Sequence, residues 1–241
     1  MRNLFINNKI SRSFLRRNDK EFSSFRRRRN LTTFKQISQA RTFEMTFCIE
    51  NFKQPFVTKI NFLFKLIFFQ VNILVATNND IPSLLPLVNA AYRGEASKKG
   101  WTTEADLISG ESRIDAEELT SMIADENAVI LLCKDDANEL LGCVYLQKRN
   151  LQLYLGMFSV WPDKQGAGIG KHLLQAAEKQ ALEMQCTSII MSVINVREEL
   201  IAWYNRHGYS FNGQRLPFPN DPKKGIPQKE FDFIVLEKKL G

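Results

Sequence analysis

The densest chemistry in the sequence is the run Val160-Trp161-Pro162-Asp163-Lys164-Gln165-Gly166-Ala167-Gly168-Ile169-Gly170-Lys171, between a β-rich segment and an amphipathic one. Glycines at such a junction let the backbone turn sharply and leave N–H groups unobstructed. The N-terminus of the following helix adds the positive end of its dipole, so the junction suits a phosphate. Two phosphate motifs fail here. A Walker A loop needs Gly five positions before Gly170, where Gln165 stands, and Ser or Thr where His172 stands. The dinucleotide fingerprint needs Gly or Ala three residues after Gly168, where Lys171 stands. What remains is Gln-x-x-Gly-x-Gly opening a helix.

Metal and disulfide chemistry find little support. The four cysteines (Cys48, Cys133, Cys143, Cys186) lie far apart with no CxxC pair, and the only histidines are His172 and His207. That pattern argues against a zinc site and a disulfide scaffold and for free thiols in a reducing compartment. No metal is expected.

The elements that must position the glycine run are legible from residue 72 onward. A short β-rich run at 72–77 precedes Asp80 and Pro82, a cap and first turn for a helix that spaces Leu84, Leu85, Val88 and Tyr92. Residues 94–110 read as a loop with some helix, and 115–124 as a short helix. Strands follow at 128–134, 140–148 and 151–160. The spacing of Leu173, Leu174, Ala177, Ala181 and Met184 predicts a helix over 168–184. A β-branched strand at 187–194 comes next, then a helix at 197–206 stopped by Gly208, and strands at 209–213 and 230–237. The order is βαα, three strands, then αβαββ. This is an α+β (mixed α/β) chain and not an alternating Rossmann repeat.

Charge divides the chain. Its net charge is +7, yet residues 1–70 hold 15 basic and 4 acidic groups and 13 of the 18 Phe, while residues 71–241 hold 18 basic and 22 acidic groups. We therefore separate a basic, Phe-rich extension (1–70) from a domain (71–241). Three readings of the first 45 residues stay open: a transit-type presequence, a nucleic-acid or membrane-surface arm, and a dispensable extension. The apolar stretch 56–76 is interrupted by Lys59, Asn61, Lys65, Gln70 and Asn72 and does not favour a membrane span. A cytoplasmic location is expected, or the mitochondrial matrix if residues 1–45 act as a presequence. The negative domain is not expected to bind nucleic acid or membrane.

The glycine pattern, the preceding "FSVWPDKQGAGIGKHLL" and the downstream Asn195 with "REELIAWYNRHGYSFNG" resemble the GNAT superfamily of N-acetyltransferases over about 170 residues. The resemblance implies a central, mostly antiparallel sheet of six to seven strands, splayed in the middle, with about four helices. It implies acetyl-CoA as co-substrate, with Phe158, Ser159 and Val160 pairing with the pantetheine. Gln165, Gly166, Ala167, Gly168, Ile169, Gly170 and Lys171 would hold the pyrophosphate, and Asn195 would position cofactor or substrate. Tyr204 is implied as the general acid that protonates the departing thiolate. The family places substrate-binding residues in the loop after the first helix. Here that loop offers Glu95, Glu104 and Asp106, with Glu104 taken as the base and Glu95 and Asp106 as substrate contacts. Tyr92 and Trp101 would wall an ammonium group. These acids favour a cationic amine, small molecule or peptide, over an acidic acceptor. The Pro-rich stretch 217–227 is a further candidate lining. Family members are often dimers, so a homodimer is compatible. The alternative to an acyltransferase is a non-catalytic acyl-CoA-binding module of the same fold.

Overall fold

The computed structural model describes residues 71–110, 112–219, 221 and 224–241. The three readings of the N-terminal extension and most of the apolar stretch at 56–76 lie outside the described residues. Two short terms run along the start of the domain: strand β1 (Asn72–Val75) and helix α1 (Ile81–Tyr92), with a single 3-10 turn between them. Thr77 caps that turn. Asp80 turns its carboxylate back to the Thr77 N–H and hydroxyl and to Lys134 Nζ (each 3.0 Å), so it locks the turn and does not cap α1 with its side chain.

Helix α2 (Gly94–Ser97), strand β2 (Ile108–Ser109) and helix α3 (Ala116–Ala124) follow. Asp115 caps α3 by accepting from Glu118 N (2.8 Å). The apolar runs then form β3 (Ala128–Lys134), β4 (Leu140–Arg149) and β5 (Gln152–Val160). Helix α4 (Ile169–Glu183), β6 (Ser188–Ile194), α5 (Glu198–Arg206), β7 (Ser210–Leu216), β8 (Ile226–Pro227) and β9 (Phe233–Lys239) complete the domain. The main sheet has seven strands in the order β1-β3-β4-β5-β6-β9-β7, and β2 and β8 pair separately. Every neighbouring pair is antiparallel except β5–β6. The mixed α+β architecture and the strand number match the expectation; the extra helix is the four-residue turn α2 in the loop after α1.

Two apolar layers flank the sheet. On one face Leu173, Leu174, Ala177 and Ala181 of α4 pack with Leu131, Val144, Leu153 and Ile189, and Tyr204 and Tyr209 join the same cluster. On the other face Leu84, Leu87 and Val88 of α1 and Leu119 of α3 pack with Ile130, Leu132, Cys143 and Met157.

The sheet opens in its middle. β5 and β6 share only three pairs, Gln152–Ser188, Leu153–Ile189 and Tyr154–Ile190. The reason lies in β5 itself. Cys143 and Tyr145 of β4 face Ser159 and Gly156 of β5, so β5 carries one extra residue there, and Met157 sits at φ +47°. Such a bulge bends its strand and inverts the alternation of its side chains. Leu153 and Leu155 pack on the α4 side, Met157 on the α1 side, and Phe158 and Val160 again against the α4 side. The Met157 carbonyl, turned out of the ladder, accepts from the buried Ser159 hydroxyl (3.2 Å). Beyond Tyr154 the β6-facing edge of β5 therefore has no strand partner among the described residues.

Among the described residues no helix is long and apolar enough to cross a membrane. Nor does any group of three or more His, Cys, Asp or Glu stand ready for a metal ion. Cys133, Cys143 and Cys186 are free and buried.

Candidate functional site

The glycine turn sits where β5 ends. Gly166 and Gly168 both adopt the left-handed region (φ +86° and +85°), which glycine enters without penalty, and the space a Cβ would occupy at either is open. Gly168 is the N-cap of α4, and the first intrahelical bond of its turn is His172 N to Gly168 O (3.2 Å). The N–H groups of Ile169, Gly170 and Lys171 thus precede the helix's own acceptors and point out of its positive end. No acidic residue occupies that first turn. Gly166, Ala167, Gly168 and Lys171 are exposed, Ile169 is buried in the core, and Gly170 lies beneath Phe158 and Trp203. The geometry fits a phosphate-bearing ligand: an uncrowded backbone at a helix N-terminus whose first N–H groups have no intrahelical acceptor.

Gln165 plays a different part with its side chain. Its Oε1 accepts from Trp101 N (3.0 Å), and its Nε2 donates to Thr102 Oγ1 (2.8 Å) and Val160 O (3.3 Å). It fastens the 100–102 loop to the end of β5, and Gly100 leaves room for its amide. Trp101 is drawn with it to the α4 side, where its ring lies 6.3 Å from Trp203. Trp161 N donates to Leu141 O of β4 (3.1 Å). Successive residues of a strand aim their peptide groups to opposite sides, so the Val160 N–H faces the opening between β5 and β6.

On the other face of the sheet the same opening widens into a cavity of about 500 Å³. Leu155, Phe158, Met191, Val193, Leu200 and Tyr204 belong both to the α4-side cluster and to the wall of this cavity, and they line the throat between the two faces. Tyr204, on α5, is buried, with its ring against Trp203 (5.1 Å), Phe158 (6.3 Å) and Tyr209 (5.8 Å). Its hydroxyl has no hydrogen-bond partner among the described residues. Burial, with Tyr92 and Tyr209 adding to it, pushes its phenol well above the usual value of 10.0. Tyr92, at the end of α1, donates its hydroxyl to Phe158 O (2.9 Å) and is likewise pushed up, by burial first and by Glu104 second.

Glu104 lines the cavity between two guanidinium groups, Arg93 Nη1 at 2.5 Å and Arg197 Nη1 at 3.5 Å. Arg93 Nη2 also reaches Lys224 O (3.4 Å). Tyr92 and Glu104 are therefore brought together with Tyr204. Glu95 and Asp106 are not: both are exposed outside the cavity wall, Glu95 paired with Lys98. Asn195 does not reach the throat either. Its N–H and Oδ1 pair with Asp232 O (2.9 Å) and Asp232 N (3.2 Å), tying the end of β6 to the segment before β9.

The 217–227 stretch supplies Pro217, Phe218, Pro219 and Lys224 to the cavity wall. Its β8 pairs with β2, Ile108 with Pro227 and Ser109 with Ile226, so two long loops are zipped together beside the opening. The sequence reading missed Arg93, Arg113, Arg197 and Trp203 as site residues. Trp203, next to Tyr204 on a helix of known phase, had a signal in its position. The arginines had none, because only the fold turns those three loops toward one cavity.

The profile of the Acetyltransferase (GNAT) family matches residues 91–209. No curated protein matches the sequence. Among solved structures, the ribosomal-protein-S18-alanine N-acetyltransferase from Escherichia coli aligns at 14% identity and TM-score 0.54, over 71% of this chain and 95% of its own. The paia N-acetyltransferase from Thermoplasma acidophilum, in complex with coenzyme A, aligns at 16% identity and TM-score 0.52, over 71% of this chain and 99% of its own. Salmonella typhimurium yncA, held with its cofactor acetyl-CoA, aligns at 14% identity and TM-score 0.54, over 71% and 95%. At these identities the likeness is one of fold.

Proposed function

We propose that this chain, whose residues 91–209 match the acetyltransferase (GNAT) family, transfers the acetyl group of acetyl-CoA to a primary amine, with Tyr204 as the general acid. The observation that carries this reading is the opened edge of β5. It has a glycine-capped helix N-terminus on one face of the sheet, a cavity on the other, and Tyr204 in the throat between them. The structural neighbours solved with coenzyme A or acetyl-CoA support the choice of co-substrate.

Acetyl-CoA supplies an activated thioester. The peptide groups of Gly166, Ala167, Gly168, Ile169, Gly170 and Lys171 hold its pyrophosphate, with Gln165 fixing the start of that turn. The freed edge at Phe158, Ser159 and Val160 accepts the pantetheine as a peptide-like strand, and the Val160 N–H stands ready for the carbonyl oxygen. The amine nitrogen attacks the carbonyl carbon and the C–S bond breaks. The thiolate takes the Tyr204 proton, and the proton shed by the amine returns through cavity water to Tyr204. Burial keeps the Tyr204 phenol in its protonated form, the form from which an acid must start. Glu104 lines the same cavity, but two guanidinium groups claim it. We assign it to positioning Arg93 and Arg197, and the ammonium loses its proton to solvent in the open cavity.

The test is release of free thiol from acetyl-CoA by the full chain across a panel of primary amines. Amine-dependent release supports the reading. Tight acetyl-CoA binding with no release by any amine overturns it in favour of a non-catalytic acyl-CoA-binding module.

A further inference from the structure

The charge of the cavity wall identifies a class of acceptor. Of the three acids that favoured a cationic amine, Glu95 and Asp106 are absent from the wall, and Glu104 is engaged by two arginines. The wall instead holds Arg93, Arg113, Arg149, Arg197 and Lys224 against only Glu104 and Glu118. Lys224 pairs with Glu118 (2.6 Å). Arg93 and Arg197 share the single carboxylate of Glu104, although their side chains are only 2% and 9% exposed. Two guanidinium groups withdrawn from water with one counter-charge leave an excess of positive charge where charge is costly. Arg93 Nε is moreover a fully buried N–H with no acceptor among the described residues. Arg113 stands 5.5 Å from the centre of the Tyr92 ring and has no carboxylate partner among the described residues. All three groups gather around Tyr92, whose hydroxyl marks the throat through Phe158 O.

We propose that the acceptor is a primary amine carrying an oxyanion, the chemistry of an amino acid or an aminoalkyl phosphonate, and that Arg93, Arg113 and Arg197 form the site that takes the oxyanion. This rests on the acetyl-transfer reading above. An oxyanion would supply the missing counter-charge, and a planar guanidinium pairs with carboxylates and phosphonates through two parallel bonds. It would also fix the direction of the acceptor, with the oxyanion held among the arginines and the amine left to face the throat. The phosphates of acetyl-CoA do not account for these arginines, because the glycine turn belongs to the other face of the sheet.

The experiment uses the full chain with acetyl-CoA and matched acceptors: amino acids, their neutral amides, aminoalkyl phosphonates and a diamine. kcat/KM should be at least ~10-fold higher for the anionic member of each matched pair, the size of one charge-assisted contact. Arg113→Ala should bring that ratio close to one and Arg113→Lys restore part of it. Preference for carboxylates or for phosphonates identifies which oxyanion the site takes. Equal turnover of the amides, or faster turnover of the diamine, overturns the proposal while leaving acetyl transfer intact. Should no amine be turned over, calorimetric titration of the same amino acids and phosphonates onto the chain with coenzyme A present decides the matter separately. Binding that Arg113→Ala weakens supports the anion site although acetyl transfer has failed, and no binding overturns it.

Discussion

Tyr204 and Tyr209 sit five residues apart, both phenols are buried, and their hydroxyls have opposite consequences. The Tyr204 hydroxyl lies at a cavity and makes no bond to the described residues, so its removal costs the fold little. Tyr204→Phe should lower kcat by about 10²-fold or more, the range for a positioned acid, with the unfolding midpoint little changed. Steady-state kinetics beside thermal denaturation checks both. The Tyr209 hydroxyl is buried with no partner among the described residues. A buried unsatisfied polar group costs about 1–3 kcal/mol, so Tyr209→Phe should leave activity intact and raise stability by about 1 kcal/mol in urea denaturation. Tyr204 was legible in the sequence through a family resemblance, since its helix and the Gly208 stop stand out. The surroundings of Glu104 were not: its type and loop suited a base, and only the fold shows Arg93 and Arg197 on either side of it.

Elements with strong periodicity were read almost to the residue. The helix expected at 168–184 is Ile169–Glu183, and the strand expected at 187–194 is Ser188–Ile194. What escaped the sequence is the pairing between elements. The bulge at Met157 exists only because β4 and β5 differ by one residue in register, and nothing in the local text of β5 announces it. The β2–β8 strap joins two-residue strands over 100 positions apart, too short for any alternation to show. That strap carries its own prediction. Gly225 has φ +89°, and a Cβ there would stand 2.3 Å from Ser109 O, a backbone atom that cannot step aside. Gly225→Ala should therefore part β8 from β2, loosen the cavity wall and raise KM for the amine several-fold. The affinity for acetyl-CoA should hardly move, because the glycine turn lies on the other face. Equal effects on both substrates would show that the two sites are not separated as described.

For the whole molecule, burial sets the response to alkali. Burial pushes the Cys133 thiol up to about 11 and the Cys143 thiol up to about 12, and it raises the Tyr92, Tyr204 and Tyr209 phenols above their usual 10.0. With folded values above the unfolded ones, the unfolded chain gives up these protons first. The stability they contribute is complete below the unfolded values of 9.0 for thiols and 10.0 for phenols, and it is lost as pH climbs past them. The unfolding midpoint should fall progressively above pH 9 and more steeply above pH 10; an unchanged midpoint at pH 10.5 would contradict the burial of these groups. The same architecture that hides them opens the sheet at one place, and the proposed acetyl transfer depends on that opening accepting acetyl-CoA from the α4 side. The most direct measurement is calorimetric titration of acetyl-CoA into the full chain and into Gly168→Glu, with circular dichroism of both. A carboxylate at the helix N-cap opposes a phosphate sterically and by charge. Binding at one site per chain, abolished in the folded variant, is the predicted result. Absence of binding to the folded wild type, or equal binding by the variant, would contradict the account.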